Sequence, residues 1–158
     1  MSKIYPGRYT AHTSDGFVVF LIGMRINHLW RIHQWLPVFS AMGPMLATLY
    51  KNPEKGFLSA EFCLTARGPL LIQYWRSAED LERFAREPSD PHLAAWARFN
   101  KAVGRSGAVG IWHETYVIEP GKWEVVYGNM PRFGLAKAVG HEPVGVRTES
   151  ARQRRTGE

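Results

Sequence analysis

Six apolar segments follow one another along this chain with the periodicities strand, helix, strand, strand, helix, strand. The first, Gly16 to Met24, contains the run FVVFLIGM, whose β-branched and aromatic residues and length predict a strand. Leu36, Phe39, Met42, Met45, Leu46 and Leu49 recur at helical spacing after a candidate cap at Asn27 and stop at Asn52-Pro53. Pro37 and Pro44 each remove a backbone donor, which predicts a kinked or broken helix. Gly56 to Leu64 and Pro69 to Trp75 read as two strands joined through Thr65 to Gly68 in a hairpin. Ser77 with Asp80 starts a second helical stretch, carried by Leu81 and Phe84 and ended before Pro88. It restarts at Asp90-Pro91 and runs through Leu93, Trp96, Phe99 and Val103 to Gly104. Val109 to Ile118 is the fourth strand and Trp123 to Tyr127 a weaker fifth.

Strand, helix, strand given twice is the α+β, ferredoxin-like βαββαβ fold: four antiparallel strands with both helices on one face. The strands are apolar on both faces, Phe17, Val19 and Leu21 being matched by Val18, Phe20 and Ile22. With no third helix to cover the bare face, a second copy of the chain is expected there, giving a homodimer of the dimeric α/β barrel type. The expected organisation is an N-terminal arm (1–15), the barrel domain (16–128), a C-terminal arm on the domain or its partner (129–146) and a disordered tail (147–158).

Charge and cysteine content narrow the function. The formal net charge is +6, but residues 1–55 carry six basic and two acidic groups, residues 56–120 seven and eight, and the last eighteen four and three. So diffuse an excess lacks the concentrated footprint of a nucleic-acid surface. One cysteine, Cys63, allows no internal disulfide and points to a reducing, cytoplasmic setting. Ile32 to Tyr50 has no formal charge, yet His33, Gln34, Pro37, Ser40, Gly43, Pro44 and Thr48 break it as a membrane span. Arg25, Ile26 and Asn27 stand where a signal peptide would need small residues. No membrane partner is expected.

Few side chains suggest chemistry. In the fourth strand, alternation puts His113 on one face and Trp112 and Glu114 on the other, so His113 and Glu114 cannot act as one acid–base pair. Imidazole exchanges protons near neutral pH, which makes His113 the candidate general base; the alternative is a core histidine satisfied by its neighbours. Which face lines a cavity is left open by the sequence, so Trp112 and Glu114 stand beside it as substrate-binding candidates. His92, Trp96 and Asn100 fall at four-residue intervals with Phe99 on the next stripe, a surface suited to stacking a flat ring between two hydrogen-bonding groups. The third strand carries Tyr74 on one face and Gln73 with Trp75 on the other, so an amide or a phenol could face the same interior as His113. Arg25 and Asn27 are weaker candidates for the cavity mouth. Glycine-rich phosphate loops, HExxH and GxSxG are absent, and Cys63 in AEFCLTA has no basic neighbour to activate it.

The segments VVFLIGMRIN (18–27), QYWRSAEDLERFA (73–85), HLAAWARFN (92–100), GIWHETY (110–116) and NMPRFGL (129–135) together resemble the fumagillin-cluster monooxygenase-like family, over roughly residues 16 to 145. The resemblance implies the dimeric α/β barrel fold and kinship with antibiotic-biosynthesis monooxygenases, which oxidise flat phenolic substrates without metal or flavin. It also implies haem-binding relatives, among them aldoxime dehydratases. The expectations are therefore a cofactor-independent monooxygenase acting with molecular oxygen on an aromatic or polyketide-like molecule in a cavity of Trp75, Trp96, Phe99 and Trp112. The alternatives are a haem protein with His113 or His92 as axial ligand, and a non-catalytic ligand-binding domain.

Overall fold

A computed structural model describes residues 2–88, 97, 99–100 and 104–156. The first strand of the sequence pattern is β2 (Phe17–Ile26), preceded by β1 (Tyr5–Ala11). It is followed by α1 (Ile32–Ser40), α2 (Met42–Lys51), β3 (Phe57–Thr65), β4 (Gly68–Trp75), α3 (Ala78–Arg86) and β5 (Val109–Ile118). These form the four-stranded antiparallel sheet β3-β4-β2-β5, the strand order of the ferredoxin-like fold. β2 lies in the middle, paired with β4 from Val18↔Trp75 to Gly23↔Leu70 and with β5 from Phe17↔Ile118 to Ile26↔Val109. On one face β2 packs against the helices through Val18 and Met24, while on the other Phe17 is buried under the C-terminal arm and Val19 and Leu21 are half-buried. The β3–β4 hairpin closes where expected: Thr65 Oγ1 donates to the Gly68 carbonyl at 2.7 Å and accepts from Arg67 N–H at 3.3 Å.

The helices share one face. Val18, Trp75, Phe57, Leu81, Phe84 and Leu49 form the core between the sheet, α2 and α3. Trp35 and Val38 of α1 close a second cluster on Met24, Ile26 and Val109. The break predicted from the prolines falls at Ala41: Pro37 sits inside α1, and Pro44 is tolerated in the first turn of α2, where backbone N–H groups have no intrahelical partner anyway. The expected Asn27 cap does not form. Its side chain instead accepts from Arg25 Nε at 3.0 Å and donates to the Gly107 carbonyl at 2.9 Å, tying the end of β2 to the loop before β5. Ser77 does cap α3, accepting from Asp80 N–H at 3.1 Å. Most of the helical piece expected over 90–103 lies outside the described residues.

Three further departures concern the ends of the chain. The fifth strand is β6 (Tyr127–Met130) rather than 123–127, because Trp123 and Val125 pack inward against Phe17. β6, β1 and β7 (His141–Pro143) form a second antiparallel sheet in the order β6-β1-β7. This sheet and the short helix α4 (Leu135–Val139) cover one end of the face expected to await a partner, burying Phe17 and Leu135 with Val19, Tyr74 and Ile118. The chain supplies part of that cover itself. The polar tail is also ordered where described: α5 (Ala151–Thr156) is held by Arg154, whose guanidinium meets Glu124 at 2.6 Å and whose side chain is nearly buried. No helix among the described residues is long and apolar enough to cross a membrane.

Candidate functional site

Between the sheet and its helices lies a cavity of about 50 Å³. The sheet contributes Phe20 and Ile22 from β2 and Leu71, Gln73 and Trp75 from β4. Strand alternation brings these together, since Val18, Phe20 and Ile22 pair with Trp75, Gln73 and Leu71 and so point the same way. Met42, Met45, Leu46 and Leu49 of α2 form the opposite wall, and Leu81, Phe84 and Ala85 of α3 close one side. Among the described residues Gln73 is the one polar side chain in this lining.

Its orientation follows from chemistry. The Trp75 indole N–H, fully buried, donates to Gln73 Oε1 at 2.9 Å. An indole nitrogen can only donate, so the amide must present its oxygen to Trp75 and turn its NH₂ away. Among the described lining residues this amide is the one hydrogen-bond donor not already engaged, the rest being hydrocarbon, thioether and aromatic rings. Such a donor can hold a carbonyl or an oxyanion while the surrounding apolar walls exclude water. None of the described lining side chains carries an acidic or basic group.

The sequence candidates divide between the two faces. Gln73 and Trp75 line the cavity. His113 shares their face, being paired with Ile22, and its ring lies 5.6 Å from that of Phe20. It sits beyond Phe20 on an edge strand, exposed, and outside the lining. Phe99 packs with Met24, Ile26 and Val109 on the α1 side, and Asn100 is exposed. His92 and Trp96 lie outside the described residues. Trp112, Glu114 and Tyr74 point the other way. Trp112 lies across Gly23, where a Cβ would come within 2.7 Å of its indole nitrogen. Glu114 accepts from Tyr116 Oη at 2.6 Å.

Tyr74 serves the C-terminal arm. Burial, with Tyr127 and Glu61 nearby, pushes its hydroxyl up to about 12 against the pull of the Leu135 backbone N–H. Together with Tyr127, which accepts from Ala136 N–H at 3.2 Å, and Glu61, which accepts from Gly134 N–H at 3.0 Å, it meets the otherwise unpaired amides at the start of α4. The α2 and α3 wall, from Met42 to Phe84, went unrecognised as a site in the sequence. Its helical spacing was visible, but that spacing reads equally as core.

The described residues give the haem alternative no support: the cavity lining among them carries no imidazole, His113 being outside it, and His92, the other candidate ligand, lies outside the described residues.

Comparison with known proteins agrees with this architecture. The family profile of monooxygenase af470-like proteins matches residues 17–135. Monooxygenase af470 of Aspergillus fumigatus is 25% identical over 136 residues, which are 78% of this chain and 48% of that protein. The chain thus spans about half the length of this curated relative. A crystal structure of an aldoxime dehydratase (OxdRE) in complex with butyraldoxime superposes with a TM-score of 0.68 at 17% identity, over 85% of this chain and 39% of the other, a likeness of fold. SnoaB, a cofactor-independent oxygenase from Streptomyces nogalater, gives a TM-score of 0.46 at 12% identity over 64% of this chain and 91% of its own. With the profile match covering the whole sheet and its helices, the chain belongs to the monooxygenase af470-like family.

Proposed function

We propose that the chain is a cofactor-independent monooxygenase that oxidises an acidic C–H position of an aromatic or polyketide-like molecule in the cavity between the sheet and α2. The observation that carries this reading is the Gln73 amide donor, fixed by Trp75 in an otherwise apolar cavity. Family membership supports the reaction class.

The chemistry asked of the protein is modest. A CH₂ group next to a carbonyl or phenol loses a proton, and the Gln73 NH₂ holds the resulting oxyanion. The carbanion passes one electron to molecular oxygen, and the radical pair joins through a new C–O bond. The carbon-bound hydroperoxide loses water as its O–O bond breaks. CH₂ and O₂ thus give C=O and H₂O, with carbon oxidised by four electrons and each oxygen reduced by two. His113, on the same sheet face one ring beyond Phe20 and outside the lining, takes the proton where the bound substrate extends past Phe20 to reach it. A ring-sized substrate exceeds the present cavity, so Met42 and Met45 must swing aside to admit it, a movement that flexible thioether chains allow.

The reading includes a homodimer. Leu21 and Ile72 are half-buried and Trp112 and Tyr116 exposed on the sheet face beyond the arm, an apolar surface that a second copy would cover. Light scattering on the purified chain should give twice its mass. The test of activity is oxygen uptake with an anthrone-type carbon acid. Uptake matched by ketone formation, and weakened in Gln73→Met and His113→Ala, supports the reading. Uptake no faster than in buffer across a panel of such acids overturns it.

A further inference from the structure

The turn before α1 and one flank of that helix carry apolar side chains that the other described residues leave exposed. Ile32, Leu36 and Phe39 are spaced four and three apart, so they share one side of the helix, and they are 54%, 49% and 39% exposed. Leu29 continues the line, and Trp30 next to it is 93% exposed. The neighbouring side of α1 does the packing, through Trp35 and Val38. The turn is held in place: Arg31 N–H donates to the His28 carbonyl at 3.1 Å, and the Trp35 indole donates to the Leu29 carbonyl at 3.0 Å. Trp30 is therefore presented outward from a fixed turn.

Charge says what such a surface would meet. Between Gly16 and Pro53 there is no Asp or Glu, and the charged groups are Arg25, Arg31 and Lys51. Arg31 and two histidines, His28 and His33, flank the stripe, all exposed. Leucine, isoleucine, phenylalanine and an outward indole beside an arginine and two imidazoles, with acidic residues missing, is the make-up of a helix that lies in a lipid interface. A second copy of the chain is assigned to the opposite side of the sheet and leaves this flank free.

We propose that the 28–31 turn and α1 form a peripheral docking surface for an anionic lipid bilayer. The helix is nine residues long, so it lies in the headgroup region and does not cross. α2 begins two residues beyond α1, and its Met42 and Met45 wall the cavity, so docking would bring the movable wall close to the apolar phase.

The test is co-sedimentation of the full chain with vesicles of phosphatidylcholine alone and of phosphatidylcholine with phosphatidylglycerol in equal parts, at low and high salt. The mixed vesicles should retain the protein, the neutral ones much less, and salt should weaken retention. Trp30→Ala and Leu36→Glu, checked for native circular dichroism and melting, should each lower the partition coefficient about fivefold to tenfold. Equal retention of these folded variants, or no retention of the wild type, overturns the proposal. So does conversion of a dimer to a monomer by Leu36→Glu, which would make the flank an interface between copies. The outcome is independent of the oxygenase reading, because it is measured without substrate.

Discussion

Replacing Gln73 with Met roughly keeps the volume of the position but removes the amide and with it the Trp75 indole's acceptor. That bond is 2.9 Å long and Trp75 is fully buried, so water cannot take over. An unsatisfied buried donor costs about 1–3 kcal/mol. For a chain of this size each kcal/mol lowers the melting temperature by roughly 2–4 °C, so Gln73→Met should melt about 2–12 °C lower. Trp75→Phe alone strands the amide oxygen and leaves a small void. The double variant strands neither group, so it should be more stable than the two single losses imply, by about 1–2 kcal/mol. Urea titration followed by circular dichroism on all four proteins measures this coupling. Additivity within about 0.5 kcal/mol would show that the amide does not depend on the indole, and its fixed orientation would have to be abandoned.

Other consequences follow from the same coordinates. Burial would raise the Asp80 carboxyl, but hydrogen bonds and charge from Arg76 and Arg83, each at 2.8 Å, outweigh it and hold the group below the usual carboxylate range. A depressed value means that this contribution is complete above the unfolded value of about 4 and is lost as pH falls through the folded one; Asp80→Asn should remove roughly 1–3 kcal/mol at pH 7 and flatten the acid limb of the stability curve. Tyr74, pushed up to about 12, favours folding fully below its ordinary value of 10.0 and progressively less as pH rises from there toward 12. Tyr74→Phe should therefore abolish this part of the alkaline loss and expose the 134–139 segment to faster hydrogen exchange. Gly56 has φ +83°, and a Cβ there would run into the Asp80 carboxylate, so Gly56→Ala should cost about 2 kcal/mol or more in thermal unfolding.

The barrel half was legible because its signals are strong and local. The two-faced run of β2, the Thr65–Gly68 turn and the Ser77 cap each admit few alternatives, and strand alternation separated His113 from Glu114 correctly. The ends were less legible because their order comes from distant partners. Arg154 has Glu124 waiting thirty residues away, and β1 forms a sheet only because β6 and β7 return to it. Local composition cannot reveal such contacts. The cavity was half legible. Gln73 and Trp75 stood out as a polar and an aromatic residue in a buried strand, whereas the methionine wall looked like core. The exposed side of α1 was not legible, because burial of a helix flank is a tertiary property.

The most direct test of oxygenation in this cavity is product analysis under ¹⁸O₂ with an anthrone-type substrate, comparing the wild type with Met45→Trp, which fills the space opposite Gln73. The account expects labelled ketone from the wild type and only the spontaneous background from a folded Met45→Trp. Labelled ketone formed by that variant at the wild-type rate would place the chemistry elsewhere.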